Sequence, residues 1–253
     1  VSAETWVLLR GLIREHRHWE DFPRRLGAML PGAALLTPDL PGNGRRCAEP
    51  SPWQVSGMLA ALRSDLAARG VQGPVNVLAL SLGGMVAFEW MSAHPGEVRR
   101  AVLLNTSLAA LSPFTERLLP ANYLRILRDG LFARSSLQRE RFILAATTNL
   151  VADREGVAQH WARWGEQSPV SVRNAVAQLV AAARYRAPAA RPACPVLLLN
   201  GGGDRLVSPR CSERIAAAWQ LPLRRHPSAG HDLALDAGDW VAAEVAQFVA
   251  ANP

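Results

Sequence analysis

The chain has 253 residues, 49% of them hydrophobic and 19% charged, which fits a folded globular domain and excludes a disordered or collagen-like chain. Its formal net charge is +7, and all 28 basic residues are arginines, scattered singly or in pairs such as Arg24-Arg25 and Arg224-Arg225. No basic stripe and no aromatic-interleaved basic segment stands out, so no nucleic-acid partner is expected.

No apolar run reaches the roughly 18 to 20 residues that cross a bilayer, so no membrane partner is expected either. Cys47, Cys194 and Cys211 are widely spaced and form no C-x-x-C, which points to a reducing compartment. The amino-terminal stretch does not read as a signal peptide, and a cytoplasmic location is the expectation.

In chain order, residues 5–9 form a short β-branched and apolar run ending at Arg10-Gly11, a predicted strand. Residues 33–37 make a second, closed by PDLPGNG, whose Pro, Asp and Gly residues enforce turns. Ser51-Pro52-Trp53-Gln54 reads as a helix start with Ser51 as the cap. Met58, Leu59, Leu62 and Leu66 follow at helical spacing, and Gly70 ends that helix.

Residues 75–80 are continuously apolar, as in a strand covered on both faces. A helix follows from Ser81 to about His94. Further strands are predicted at 98–105, 195–200 and in LPLRRH from Leu221, with a helix starting near Ser208-Pro209 and a closing one over 238–250. This alternation predicts an α/β fold with a mostly parallel, doubly wound sheet. Residues 108–190 interrupt it with helical stretches only. The expected organisation is a core in two parts, 1–107 and 191–253, with an all-helical cap over 108–190. Most of the aromatics in that insertion are expected to pack its own small core, and one or two to face a cleft.

Three loops carry candidate chemistry. In Ala79-Leu80-Ser81-Leu82-Gly83 a strand turns sharply into a helix, which lifts the Ser81 side chain above the sheet and needs small neighbours. The backbone amide of Leu82 would face whatever sits beside that hydroxyl. LLNGGGDRLVSP places Asp204 in a glycine-rich loop after a strand, where a carboxylate can orient an imidazole. HPSAGHDL places His231 in the loop before the last helix, and histidine is the natural base near neutral pH. LLRGLIRE ends the first strand with Gly11-Leu12, where the Leu12 amide could complete an oxyanion hole.

LLRGL, PDLPGNGRR, ALSLGG, GGGDRLVSP and AGHDL together resemble the motifs of the α/β-hydrolase fold superfamily, in its esterase- and thioesterase-like members with a helical cap. The resemblance implies Ser81 as nucleophile, His231 as base, Asp204 as acid, and a small-molecule acyl substrate. It leaves open ester, thioester or C–C bond cleavage, lyase or cofactor-free perhydrolase chemistry on the same triad, and a non-catalytic ligand-binding role.

Arg10 stands where most relatives have histidine. As a permanent cation with donors only, it is expected to pair with a carboxylate such as Glu15 or Asp39, to contact an anionic substrate, or to disturb the oxyanion geometry and weaken activity. His18 and Trp19, near the oxyanion strand, are candidate pocket residues. His16 and His18 lie among Glu15, Glu20 and Asp21, but the rest of a metal-binding pattern is missing and no metal is expected. No dinucleotide or phosphate-loop motif occurs, so no cofactor is expected.

Overall fold

The computed structural model describes residues 4–253, apart from the side chain of Leu131. Six parallel strands form one sheet: β1 (Thr5–Leu9), β2 (Ala34–Leu36), β3 (Val75–Leu80), β4 (Val98–Leu104), β5 (Val196–Gly201) and β6 (Leu223–His226). Their order across the sheet is β2-β1-β3-β4-β5-β6. All six residues of β3 are buried, because helices cover both of its faces. The order reverses at β1 and β3, and a crevice forms beyond the carboxyl ends of strands at such a reversal.

One face of the sheet packs Trp6, Leu8, Leu78 and Leu199 against α1 (Phe22–Met29) and the closing helix, Gly238–Ala251. The other face packs Val7, Leu9, Val77 and Leu198 against α2 (Val55–Ala68) and α3 (Leu82–Ala93). The period-two alternation within β1 thus feeds two separate cores. Between β4 and β5 every regular element among the described residues is helical, chiefly α4 (Ser136–Thr147), α5 (Arg154–Gln167) and α6 (Val172–Arg184). Leu144, Ala158 and Trp161 form a small core within this insertion. No helix among the described residues is long and apolar enough to cross a membrane.

Two expectations about local structure need correction. Ser51 does not cap α2, which begins four residues later, at Val55. The Ser51 hydroxyl donates instead to the Pro41 carbonyl at 2.7 Å, and its amide donates to Asn174 Oδ1 at 2.9 Å. A long-range polar contact has outcompeted the local cap. Trp19 does not reach the cavity described below. The 3-10 turn His16–Trp19 sends successive side chains to different sides, and Trp19 joins the core beneath the sheet, stacked on Phe22 at 5.5 Å between ring centroids.

Candidate active site

Ser81 occupies the turn between β3 and α3 with φ +56° and ψ −116°, a conformation that non-glycine residues rarely adopt and that clusters at functional sites. The turn is held from both sides. The Ser81 amide donates to the Leu104 carbonyl at 2.9 Å, and the Thr106 hydroxyl donates to the Ser81 carbonyl at 2.9 Å.

Gly83 lets α3 approach the end of β1. A β-carbon there would lie 2.6 Å from the Leu9 carbonyl oxygen and 2.8 Å from that of Arg10. Gly11 in turn lies against the Ser81 side chain, with room for only 3.2 Å between a β-carbon at Gly11 and Ser81 Cβ. Leu12 and Leu82 line the same cavity as Ser81. Neither amide donates to another protein group among the described residues. For Leu82 this follows from its place as the first residue of a helix, where the amide has no partner within the helix.

The acid and histidine loops meet through equally tight backbone packing. A β-carbon at Gly201 would lie 2.4 Å from the Gly230 carbonyl oxygen, so only glycine lets the two loops touch. Asp204 Oδ2 sits 2.7 Å from His231 Nδ1, and Oδ1 of the same carboxylate accepts from the amides of Leu206 and Val207 at 2.8 and 2.9 Å. A carboxylate held by two amides has its free oxygen fixed in direction. Burial pushes the His231 pKa down, but the charge and hydrogen bond of Asp204, with Asp232 behind it, outweigh burial and the opposing Arg10 cation and raise it above 6.5.

Asn105, which sequence reasoning did not single out, ties this region together. Its Nδ2 donates to the carbonyls of Gly230 and His231 at 3.0 and 2.8 Å, and its Oδ1 accepts from the Gly201 amide at 2.8 Å. Its φ is +46°, which asparagine tolerates better than most residues. An asparagine directly after the apolar run 101–104 was the available signal.

Ser81, Leu82, Leu12 and His231 line one cavity of about 240 Å³ beyond the strand ends, together with insertion residues such as Phe142 and Leu179. The Ser81 hydroxyl makes no hydrogen bond to His231 among the described residues. Such bonds commonly tighten only when substrate is bound.

Arg10 forms an ion pair, but with neither expected partner. Its two terminal nitrogens fork onto Asp232, at 3.1 Å to Oδ1 and 2.5 Å to Oδ2, with both side chains buried. The guanidinium also lies over the Trp19 ring, 4.7 Å from its centroid. Glu15 and Asp39 are already engaged. Glu15 pairs with Arg17, while Asp39 accepts from the His16 amide at 2.7 Å, faces His16 Nδ1 at 2.8 Å and accepts from the Arg45 amide at 3.0 Å.

Glu15, His16 and Asp39 do bring potential metal-ligand atoms within 4.8 Å of one another. Their oxygens are used by these hydrogen bonds, and His18, which lines the cavity, is not one of the three. His18 Nδ1 accepts from the Glu15 amide at 3.1 Å, and its ring meets Trp161 edge-on at 4.6 Å. Burial, with Arg14 and Arg10 nearby, holds its pKa well below the ordinary imidazole value, so it stands neutral.

The chain is similar to several known proteins. It is 35% identical over 103 residues to lipase LipV of Mycobacterium tuberculosis, a match covering 41% of this chain and 37% of that protein's length. A hydrolase from Pseudomonas aeruginosa PA01 superposes with a TM-score of 0.79 at 21% identity, over 98% of this chain and 90% of that one. The esterase RhEst1 from Rhodococcus sp. ECU1013 gives a TM-score of 0.74 at 20% identity, over 99% and 92% of the two chains. With residues 6–244 matching the family's sequence model, this chain belongs to the alpha/beta hydrolase family.

Proposed function

We propose that the protein hydrolyses a small carboxylic ester or thioester through an acyl-enzyme on Ser81. The observation that carries this reading is the convergence on one cavity of a serine on a strained strand-to-helix turn and a histidine whose other nitrogen is held 2.7 Å from a buried carboxylate.

In the proposed reaction His231 takes the Ser81 proton through Nε2 as the hydroxyl attacks the carbonyl carbon. Asp204 fixes the proton on Nδ1 and stabilises the imidazolium that forms. The unpartnered amides of Leu82 and Leu12 receive the developing oxyanion, each worth about 3 kcal/mol in the transition state. Protonated His231 then gives its proton to the leaving alkoxide or thiolate. Water repeats the sequence on the acyl-enzyme and releases the acid.

Similarity to a lipase over part of its length and the structural likeness to an esterase support an ester as the substrate class. The test is a panel of p-nitrophenyl esters of graded chain length with wild type and Ser81→Ala. Turnover in wild type, with loss of at least about 10⁴-fold in a variant that stays folded, is the expected result. Equal rates in the two proteins would refute the assignment.

A further inference from the structure

The cavity wall carries four arginines: Arg10, Arg14, Arg117 and Arg139. Three of them meet a carboxylate. Arg10 pairs with Asp232 at 2.5 Å, Arg14 with Glu140 at 2.7 Å, and Arg139 approaches the same Glu140 at 3.8 Å. Arg117 meets none among the described residues, although it is only 8% exposed.

Its donors go to neutral oxygens. Nε faces the Ser107 hydroxyl at 3.4 Å, and the terminal nitrogens donate to the Ala183 and Ala182 carbonyls at 3.0 and 2.6 Å. Those carbonyls belong to the last turn of α6, whose dipole supplies roughly half a negative charge. The remaining positive charge is uncompensated, and burial lowers the pKa of the group from its ordinary value. A guanidinium has five N–H bonds. The three contacts use one N–H on each nitrogen and leave one more on each terminal nitrogen, donors of the kind a carboxylate accepts.

The site shares its cavity with the proposed nucleophile. Ser107 lines the same cavity and directly follows Thr106, whose hydroxyl is bonded to the Ser81 carbonyl. The lining of this shared cavity also includes the apolar Met85, Leu118 and Leu206.

From this arrangement we infer that Arg117 is a specificity-determining residue that pairs with a carboxylate on the acyl portion of the substrate, so that the preferred substrates are half-esters or half-thioesters of short dicarboxylic acids. A few methylenes would cross the apolar wall from the scissile carbonyl to the guanidinium. The catalytic consequence rests on the acyl-transfer reading of Ser81, whereas binding of the carboxylate does not.

The test compares monoethyl adipate with ethyl ω-hydroxyhexanoate, in which a neutral hydroxymethyl group takes the place of the carboxylate. Hydrolysis is followed by pH-stat in wild type, Arg117→Met and Arg117→Lys. The ratio of kcat/KM for the two substrates is expected to fall by about tenfold or more in Arg117→Met, carried by KM, and by less in Arg117→Lys. A merely structural arginine would lower both substrates together and leave the ratio in place, and that result would overturn the inference.

Binding of the same two compounds to Ser81→Ala by calorimetry requires no turnover and no change at Arg117. Tighter binding of the half-ester, weakening with salt, supports the carboxylate site even if hydrolysis itself fails. Equal binding of the two compounds rejects it.

Discussion

Asp232, next in sequence to the proposed base, governs how the histidine loop responds to change. It is forked by Arg10 across a sequence separation of 222 residues, and its amide donates to the Thr147 carbonyl at 2.8 Å. Replacing Arg10 with Met would leave a buried carboxylate without its counter-ion. The expected loss is about 3–5 kcal/mol of unfolding free energy, read by urea denaturation, with most of it recovered in Arg10→Met combined with Asp232→Leu. A loss below about 1 kcal/mol in the single variant would show that the pair is not holding the loop.

His231 makes a second prediction at this scale. The base must be neutral to accept a proton, so kcat/KM should rise with pH through an inflection above 6.5, where Asp204 places it. In Asp204→Asn the raising influence of that carboxylate is lost and burial remains. The inflection should move down, and kcat should drop by roughly 10⁴-fold. An acid limb that stays in place in this variant would separate the histidine from the titration.

At the scale of elements, the site is made by close backbone approach: α3 against the end of β1 at Gly83, and the acid loop against the histidine loop at Gly201. Gly83→Ala should push α3 away from β1 and part the Leu12 and Leu82 amides. The predicted effect is a kcat loss of about 10²–10³-fold that exceeds any change in KM. Activity within about twofold of wild type would remove those amides from the oxyanion account.

These elements also show what was legible in the sequence. The strands, the turn at Ser81 and the glycine-rich loop before Asp204 are written in local pattern, because apolar runs, small residues and chain punctuation act over a few positions. Side-chain partners separated by more than a hundred residues are not written that way. Ser51 looked like a helix cap and bonds Pro41 and Asn174 instead, and Arg10 bypassed Glu15 and Asp39 for Asp232. Trp19 looked like a pocket residue because it neighbours His18, yet one step along a 3-10 turn carried it to the other side.

Across the whole molecule, many of the 28 arginines behind the net charge of +7 are engaged in ion pairs, buried ones included. Arg10, Arg14 and Arg100 each meet a carboxylate, whereas the cavity-lining Arg117 meets none among the described residues. The sequence could show an excess of cations but not which of 28 arginines lacked a partner, since pairing depends on how the helical insertion seats over the strand ends. The cavity itself arises from that seating: the strand-end loops supply Ser81 and His231, and the insertion supplies much of the apolar wall.

The central claim, a covalent acyl-enzyme on Ser81, is tested most directly by rapid-mixing kinetics with a p-nitrophenyl ester, followed by intact-mass and peptide analysis of acid-quenched protein. The account predicts a burst of p-nitrophenol equal to the enzyme concentration and an acyl group on the peptide carrying Ser81. Steady release without a burst, together with no adduct on that peptide even in Asp204→Asn, where deacylation should be slowed, would contradict it.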